Sequence, residues 1–579
     1  MDRQYPIYTV ETECQDCYKC VRHCPVKAIR IVNGRANAVP ELCIACGRCV
    51  KVCPAKAKRV RDDLGRTRSL VDRCEKVYVS IAPSWVSEFD GVTAQQMMAA
   101  LRQLGFVGVS ETALGAQQVS FALAEKLRHQ PPGLLLSSAC PVCVSYIQKY
   151  HPDLVDTIAA MHSPALAHAQ MLHEELGEHI GVVFIGPCIA KKLESDRHPE
   201  LINIALTFEE FQRWLDEEGI VLENMDTDAS DHFALADSQE GALYPIEGGM
   251  TDTIKALGEF NGVEFVTISG IEHLEESLAG LSDSSLRQSV LIECLACEGG
   301  CVNGPGSKQN KNPLVGRMRV IERSTIPETI PARKQLASLE EQYASETVPE
   351  VVFTEQQVTD ALARIGKTHK EDEMNCGGCG YNTCREFARA MLAGKGEPEM
   401  CASFMRRQAH RKANALLRCM PSGSVIVDAN LYIIESNESF ARIFGEESIL
   451  AFKASKGMSG ANLEKVLPFA NVFRDVLKSD KDSHHERMIV GDKMLNVTVF
   501  TIEPHLVVGA IIEDVTTTEL RREQIARKAK EVINRNISTV QEIAFQLGEN
   551  MADTEILLRS IAEDYSDKPL PGQPKKGRQ

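Results

Sequence analysis

No run of about 18 consecutive apolar residues occurs in the 579-residue chain, so no ordinary membrane-spanning helix is expected. The opening stretch, MDRQYPIYTVETEC, lacks the apolar core of a secretion signal, and a cytoplasmic protein is expected. Positive charge is the scarcer sign: 64 Lys and Arg stand against 80 Asp and Glu, a formal net charge of −16. That balance argues against a nucleic-acid binder, which would present a basic face. No histidine follows His505, so the closing helical stretch carries no phosphoacceptor histidine of a kinase. What remains is 44% hydrophobic and 25% charged, ordinary for globular domains, and long enough for about four of them. Cysteine is plentiful: 20 in a chain without a secretion signal point to metal ligation rather than disulfides.

The cysteines fall into groups. CQDCYKCVRHCP (Cys14, Cys17, Cys20, Cys24) and CIACGRCVKVCP (Cys43, Cys46, Cys49, Cys53) both read C-x2-C-x2-C-x3-C-P. This spacing wraps a cubane iron–sulfur cluster, and the fourth cysteine of each run serves the other cluster. Cys14, Cys17 and Cys20 therefore pair with Cys53, and Cys43, Cys46 and Cys49 with Cys24. Residues 10 to 60 resemble a bacterial two-cluster ferredoxin. Downstream, Cys376, Cys379 and Cys384 in CGGCGYNTC, with Cys401, suit a third 4Fe-4S cluster and resemble the single-cluster module of corrinoid iron–sulfur proteins. A zinc ribbon is the competing assignment there. Cys74, Cys143, Cys294 and Cys419 are taken as small buried hydrophobes.

In the middle of the chain, apolar runs end in cysteine: GLLLSSAC at Cys140, GVVFIGPC at Cys188, SVLIECLAC at Cys297. A fourth run, VYVSIAPS, ends at Ser84, and helical patterns lie between the runs. Strands alternating with helices imply parallel sheets covered on both faces, with ligands beyond the carboxyl ends of the strands. Cysteines at several such ends would converge on one site. The loops SSACPVCVSYIQKYHPDL, GPCIAKKLE and CLACEGGCVNGPG, in this order after APS, resemble the three signature loops of the FeFe-hydrogenase catalytic domain. With the ferredoxin segment, the resemblance covers residues 10 to 320. It implies an H-cluster, a cubane joined to a diiron unit that bears CO, cyanide and an azadithiolate. The implied cubane ligands are Cys140, Cys188, Cys297 and Cys301, with Cys301 bridging. Lys191 and Ser84 would face the two cyanides, and Glu194 matches a glutamate of the same loop.

The chain also departs from that family. Ala139 stands where catalytic members carry the proton-relay cysteine, and Val119, Ala122 and Ala159 occupy the rest of the acid–hydroxyl path. Gly186 and Leu295 replace two methionines, Cys143 a tryptophan, and Pro305 a glycine. No side chain at the four path positions carries a proton, so slow turnover is expected, which suits a sensor.

The C-terminal third begins with a Pro-, Glu-, Ser- and Thr-rich linker. Residues 415 to 445 and the later strand patterns, up to Asp514-Val515-Thr516, resemble a PAS domain, either ligand-free or holding an unknown ligand. His484, His485 and His505 are candidate haem ligands or merely solvated. From Leu520 onward, Ile533, Ile537, Val540, Ala544, Leu547, Met551, Thr554, Leu558 and Ile561 alternate spacings of four and three, as in a coiled coil or a helix packed on its own domain. The expected architecture is multidomain α/β and α+β. It comprises a two-cluster ferredoxin-like domain (1–76), an H-cluster α/β domain with parallel sheets (77–322), a linker (323–357), a single-cluster module (358–408), a PAS domain (409–516), a helical output segment (517–565) and a disordered tail (566–579). The reading this supports is a sensory hydrogenase that splits H2 into protons and electrons. It would exchange electrons with ferredoxin or a redox subunit and signal to a kinase or phosphatase, with a homodimer possible. A catalytic hydrogenase subunit and an electron-transfer hub without the diiron unit are the alternatives.

Overall fold

The computed structural model describes residues 4–566 except 130, 229, 282–285, 309–311, 328–329, 331–337, 350 and 480–482. Most of the expected tail, residues 567–579, thus lies outside the described residues. Two compact units emerge, Met1–Met405 and Arg406–Gln579. Among the described residues no helix is long and apolar enough to cross a membrane.

In the first unit, β1 (Ile7–Thr9) pairs antiparallel with β4 (Lys58–Val60), and β2 (Ile29–Val32) with β3 (Arg35–Ala38). Between these short ribbons run the two cysteine-rich loops, each with a helix of one turn, Lys19–Arg22 and Arg48–Val52. The backbone is left-handed at Asp16, Tyr18, Ala45 and Gly47, which bends both loops tightly around their cysteines. The helix Leu64–Arg73, counted with this segment from the sequence, instead packs through Leu64, Leu70 and Val71 on the α/β core.

That core holds two separate parallel sheets. In one, the order is β6 (Gly108–Glu111), β5 (Val77–Ile81), β8 (Gly181–Gly186), β9 (Ile204–Thr207). In the other it is β10 (Val263–Ser269), β11 (Ser289–Leu295), β7 (Gly133–Leu136). β7, β8 and β9 are buried at every residue, as strands covered on both faces must be. The single-cluster segment follows, with helices Glu355–Arg364 and Cys384–Leu392.

The described part of the expected linker is not a free tether. Residues 339–348 lie extended on the α/β domain: the amide of His162 donates to the Leu339 carbonyl (2.7 Å), Gln148 Nε2 to the Ala344 carbonyl (2.8 Å) and the amide of Val348 to the Lys149 carbonyl (3.2 Å). Proline and charge made this stretch look solvated; backbone groups left over on the helix and loop beneath it give it a place to bind.

In the second unit, five antiparallel strands order as β13 (Ile433–Ser436), β12 (Gly423–Asp428), β16 (Val507–Asp514), β15 (Lys493–Glu503), β14 (Ser483–Val490). Val425, Phe440, Phe473, Val497 and Ile512 fill the core behind the sheet. Asp428 accepts from the amides of Asn430 and Tyr432, fixing the expected turn. Asp514 accepts from the Thr516 amide and hydroxyl, which holds its carboxyl below the usual range and starts the last helix. His484 and His485 lie side by side on β14, turned toward Glu486 and Thr498, and His505 Nδ1 meets the Leu477 carbonyl. They do not form the facing pair that would clamp a haem. Thr516–Ser566 is one helix, and the expected seam residues Ile533, Ile537, Val540 and Leu547 are all at least half exposed, so the seam is not packed on its own domain.

Candidate active site

The four matched cysteines reach one place from two sheets. Cys140 follows β7 and Cys297 and Cys301 follow β11, in the three-stranded sheet; Cys188 follows β8 in the four-stranded one. Ser84 comes two residues after the end of β5, beside β8. Cys140, Cys188 and Cys301 line a single cavity of about 100 Å³ together with Ser84, Ala139, Lys191, Leu295 and Glu293. Cys297 stands behind them, close enough to Cys301, Cys188 and Cys140 for their charges to act on it.

Burial pushes the Cys188 thiol up to about 11, with the neighbouring Cys140 adding to it. Burial likewise raises Cys297 and Cys301 well beyond an ordinary thiol, and nearby sulfurs reinforce the shift. Cys140 goes the other way: the Cys143 thiol donates to it and lowers it to about 6. As thiolates these groups would be buried and mutually repelling, a state that calls for a compact positive centre. Cys143 and Cys294 are fully buried, as expected of small hydrophobes, but Cys74 is only half-buried and Cys419 is exposed at the end of a helix.

Two donors face the cavity differently. Ser84 Oγ is buried and has no hydrogen-bond partner, an orphan that an acceptor in the cavity would satisfy. Lys191 Nζ lines the cavity but is already held by Ser163 Oγ (2.9 Å) and Glu194 Oε2 (2.6 Å). Glu194 lies on the far side, against a second, more polar cavity that also touches Tyr343 of the bound 339–348 segment. It positions the ammonium and does not line the thiol cavity. A cyanide-bearing cluster fits this donor set: four converging thiols, one orphaned hydroxyl and one anchored ammonium.

At the relay positions the structure is dry. Ala139, Val119, Ala122 and Ala159 belong to one apolar cluster with Ala116, Leu123 and Met161. The sequence reading missed two polar features of the wall. Glu293 faces the cavity with its carboxyl raised by burial, accepting from the Thr251 amide (3.0 Å) and Thr267 hydroxyl (3.4 Å). A buried chain also runs from Thr112 on the wall through Ser80 (2.8 Å) to His168 (2.7 Å) and Ser110 (2.9 Å). Neither had a motif to announce it; each is one polar letter in an apolar strand or helix. Gly186 is explained sterically: a Cβ there would sit 2.7 Å from the Phe184 ring and 2.8 Å from Ala82, leaving no room for a methionine.

The ferredoxin-like segment abuts this site. The charges acting on Cys20 are those of Cys14, Cys17 and Cys53, and those on Cys49 are Cys46, Cys43 and Cys24, which is the interleaved pairing read from the spacing. Cys46 in turn acts on Cys297. Gly47 has φ +73, and a Cβ on it would lie 2.6 Å from Pro305 and 2.7 Å from Ile189, so this loop meets the site loops without a side chain between. Arg48 pairs with Glu272 and Glu298 at the same junction. Among the described residues no three His, Cys, Asp or Glu side chains are grouped to hold a lone metal ion, which speaks against the zinc ribbon at Cys376–Cys401.

Behind the site, Lys192 is fully buried and its ammonium reaches Asp63, Glu210 and the Ala205 carbonyl, each at 2.9 Å. Arg61 links Asp63 (2.9 Å) to Asp196 (2.7 Å). This network ties the end of the ferredoxin-like segment to the helix that begins at Lys191.

Comparison with known proteins agrees. Residues 75–305 match the family described as iron only hydrogenase large subunit, C-terminal domain; residues 6–54 match a 4Fe-4S dicluster domain, and residues 372–403 an Fe-S cluster family. Iron hydrogenase 1 of Clostridium pasteurianum is 22% identical over 44% of this chain and 54% of its own length, so the chain spans about half of that relative. The periplasmic Fe hydrogenase large subunit of Nitratidesulfovibrio vulgaris is 24% identical over 58% of this chain and 93% of its own. The cytosolic Fe-S cluster assembly factor NAR1 of Meyerozyma guilliermondii is 30% identical over 23% of this chain and 28% of its own. Through its residues 75–305, the chain belongs to the FeFe-hydrogenase family.

Proposed function

We propose that this protein is a regulatory FeFe-hydrogenase that binds and slowly splits hydrogen and passes its redox state to a partner through the C-terminal unit. The observation that carries the reading is a full set of converging thiols joined to an apolar seam where the proton relay would run. An H-cluster, when bound, supplies the cleavage of H2 into two protons and two electrons. Cys140, Cys188, Cys297 and Cys301 would hold its cubane, with Cys301 bridging. Ser84 Oγ and Lys191 Nζ offer the hydrogen-bond donors for its cyanides, and Glu194 and Ser163 keep the ammonium pointed there. Ala139, Val119, Ala122 and Ala159 exclude water and move no proton. Positioned acid–base groups are worth about 10² to 10⁴-fold, and their loss sets the expected slow turnover. Glu293 is the proton-exchanging carboxyl that the cavity wall retains, and protons leave by its threonine partners.

Electrons leave through the 4Fe-4S clusters of the ferredoxin-like segment to a carrier such as ferredoxin. The strand order of the second unit supports a PAS domain, whose ligand is unassigned. The exposed seam on Thr516–Ser566 suits pairing with a second copy of the chain and relay to a kinase or phosphatase.

The test is an infrared spectrum of the matured protein with and without hydrogen. Cyanide and CO bands that respond to hydrogen, alongside low turnover, are expected; bands that never change overturn the reading. Turnover equal to that of ordinary hydrogenases favours a catalytic subunit. A second reading, a cluster-only protein, draws on Gly186 and Leu295 in place of methionines and on the NAR1 likeness; it predicts no such bands at all.

A further inference from the structure

The third cysteine set does not stand apart from the ferredoxin-like segment. Gly380, inside the loop Cys376–Cys384, has φ +95, and a Cβ there would lie 2.8 Å from Val21 Cγ1 and 3.1 Å from the Arg22 amide nitrogen. The loop therefore touches the helix Lys19–Arg22 through bare backbone. Arg22 bridges the two loops, donating to the Gly378 carbonyl (3.2 Å) and the Cys17 carbonyl (2.9 Å). Glu397 clamps the turn on the other side, accepting from the amides of Asn33 (2.6 Å) and Gly34 (3.0 Å), and the Ile31 amide donates to the Lys395 carbonyl (3.0 Å). Beneath these bonds one apolar cluster joins Cys20, Val21 and Cys24 to Tyr381, Cys384, Phe387 and Met400. Tyr381 is buried with its hydroxyl unpartnered, and its proton is held by burial and by the charges of Cys379 and Cys24, one sulfur from each loop system. A hydroxyl in that position suits a sulfur acceptor.

A module that merely carried its own cluster would need no glycine at the contact and no carboxylate clamp. Resting on the reading that Cys376, Cys379, Cys384 and Cys401 hold a cubane, we infer that this third cluster exchanges electrons directly with the ferredoxin pair across the Gly380–Tyr381 contact beside Cys24. The cluster ligated by Cys24, Cys43, Cys46 and Cys49 is then a junction, with the active site on its Cys46 side and the third cluster on its Cys24 side. The balance is simple. One H2 releases two protons to solvent and two electrons, and each cubane takes up one electron, so two clusters hold both with no external carrier present. For a regulatory protein this stores the signal inside the chain. Gly380, Arg22 and Glu397 act as positioning residues in this arrangement.

Electron paramagnetic resonance of the reduced full chain tests it. In the unaltered protein the third-cluster signal is expected to be split or broadened by neighbouring cluster spins. Gly380→Val, which forces the loop away from Val21, is expected to return that signal to a narrow isolated form with the iron content unchanged. Where Gly380→Val loses the third cluster's iron, Glu397→Gln, which loosens the clamp without entering the loop, is judged by the same loss of broadening. A third-cluster signal that is narrow in the unaltered protein, or broadening that survives in the iron-replete variant, overturns the inference. Unaltered protein whose iron falls short by one cubane overturns instead the reading beneath it, and so the two failures are told apart.

Discussion

Ser84→Ala should have opposite consequences before and after the diiron unit arrives. In the structure the Ser84 hydroxyl is buried, faces the thiol cavity and bonds to nothing. A buried donor left unsatisfied carries a penalty of about 1 to 3 kcal/mol, less where a water slips in. Removing it should leave the cubane-only protein unharmed or slightly more stable, and the smaller side chain clashes with nothing. Once a cyanide sits in the cavity, the same hydroxyl makes a hydrogen bond to a charged acceptor, worth about 1.5 to 3 kcal/mol. Deleting it should therefore weaken retention of the diiron unit by about 10- to 150-fold. The assays are a melt of the cubane-only protein and a titration of a synthetic diiron complex followed by the cyanide bands, one of which should also shift. A variant that destabilises the cubane-only protein yet takes up the complex normally would refute the reasoning, because the hydroxyl would then be serving the fold.

Three further outcomes follow from buried groups. Lys192→Met leaves Asp63 and Glu210 facing each other without their shared cation, and should cost about 3 to 5 kcal/mol, read as a lowered denaturation midpoint of the first unit. His168 is held down at about 3 by burial, so between that value and the ordinary imidazole pKa near ~6.5 the unfolded chain binds the extra proton. Stability from this site is therefore complete above about pH 6.5 and lost as pH falls toward 3, at up to about 1.4 kcal/mol per pH unit; His168→Gln should flatten that slope in acid-unfolding curves. Ala139→Cys alone should raise hydrogen turnover by less than about tenfold, well below the ~10² to 10⁴ of a complete relay, because Val119, Ala122 and Ala159 still interrupt the path.

The thiol sets were legible because ligand spacing is local: C-x2-C-x2-C-x3-C-P states its own cluster, and the interleaved sulfurs appear as read. Apolar runs ending in cysteine also placed the site beyond strand ends. The division of those strands between two sheets was hidden, since parallel neighbours are joined by long crossovers and no letter in β7 says that it pairs with β11 rather than β8. Charge partners were equally hidden. Lys191 and Lys192 are adjacent in sequence, yet helical geometry turns one to the cavity and the other into a network with Asp63 and Glu210, far along the chain. The same holds for residues 339–348, whose polar composition marks a tether and whose backbone finds a groove, and for Tyr381, whose closeness to Cys24 depends on a docking no motif encodes.

The most direct measurement is the iron bound per chain by the fully matured protein, compared with that of Cys301→Ser. Three cubanes and a complete H-cluster require about 18 iron atoms, and loss of the bridging thiol should remove up to about six while sparing the other clusters. About 12 iron atoms in the unaltered chain, with no change on replacing Cys301, would contradict the claim that thiols from two sheets enclose a hydrogen-reactive cluster.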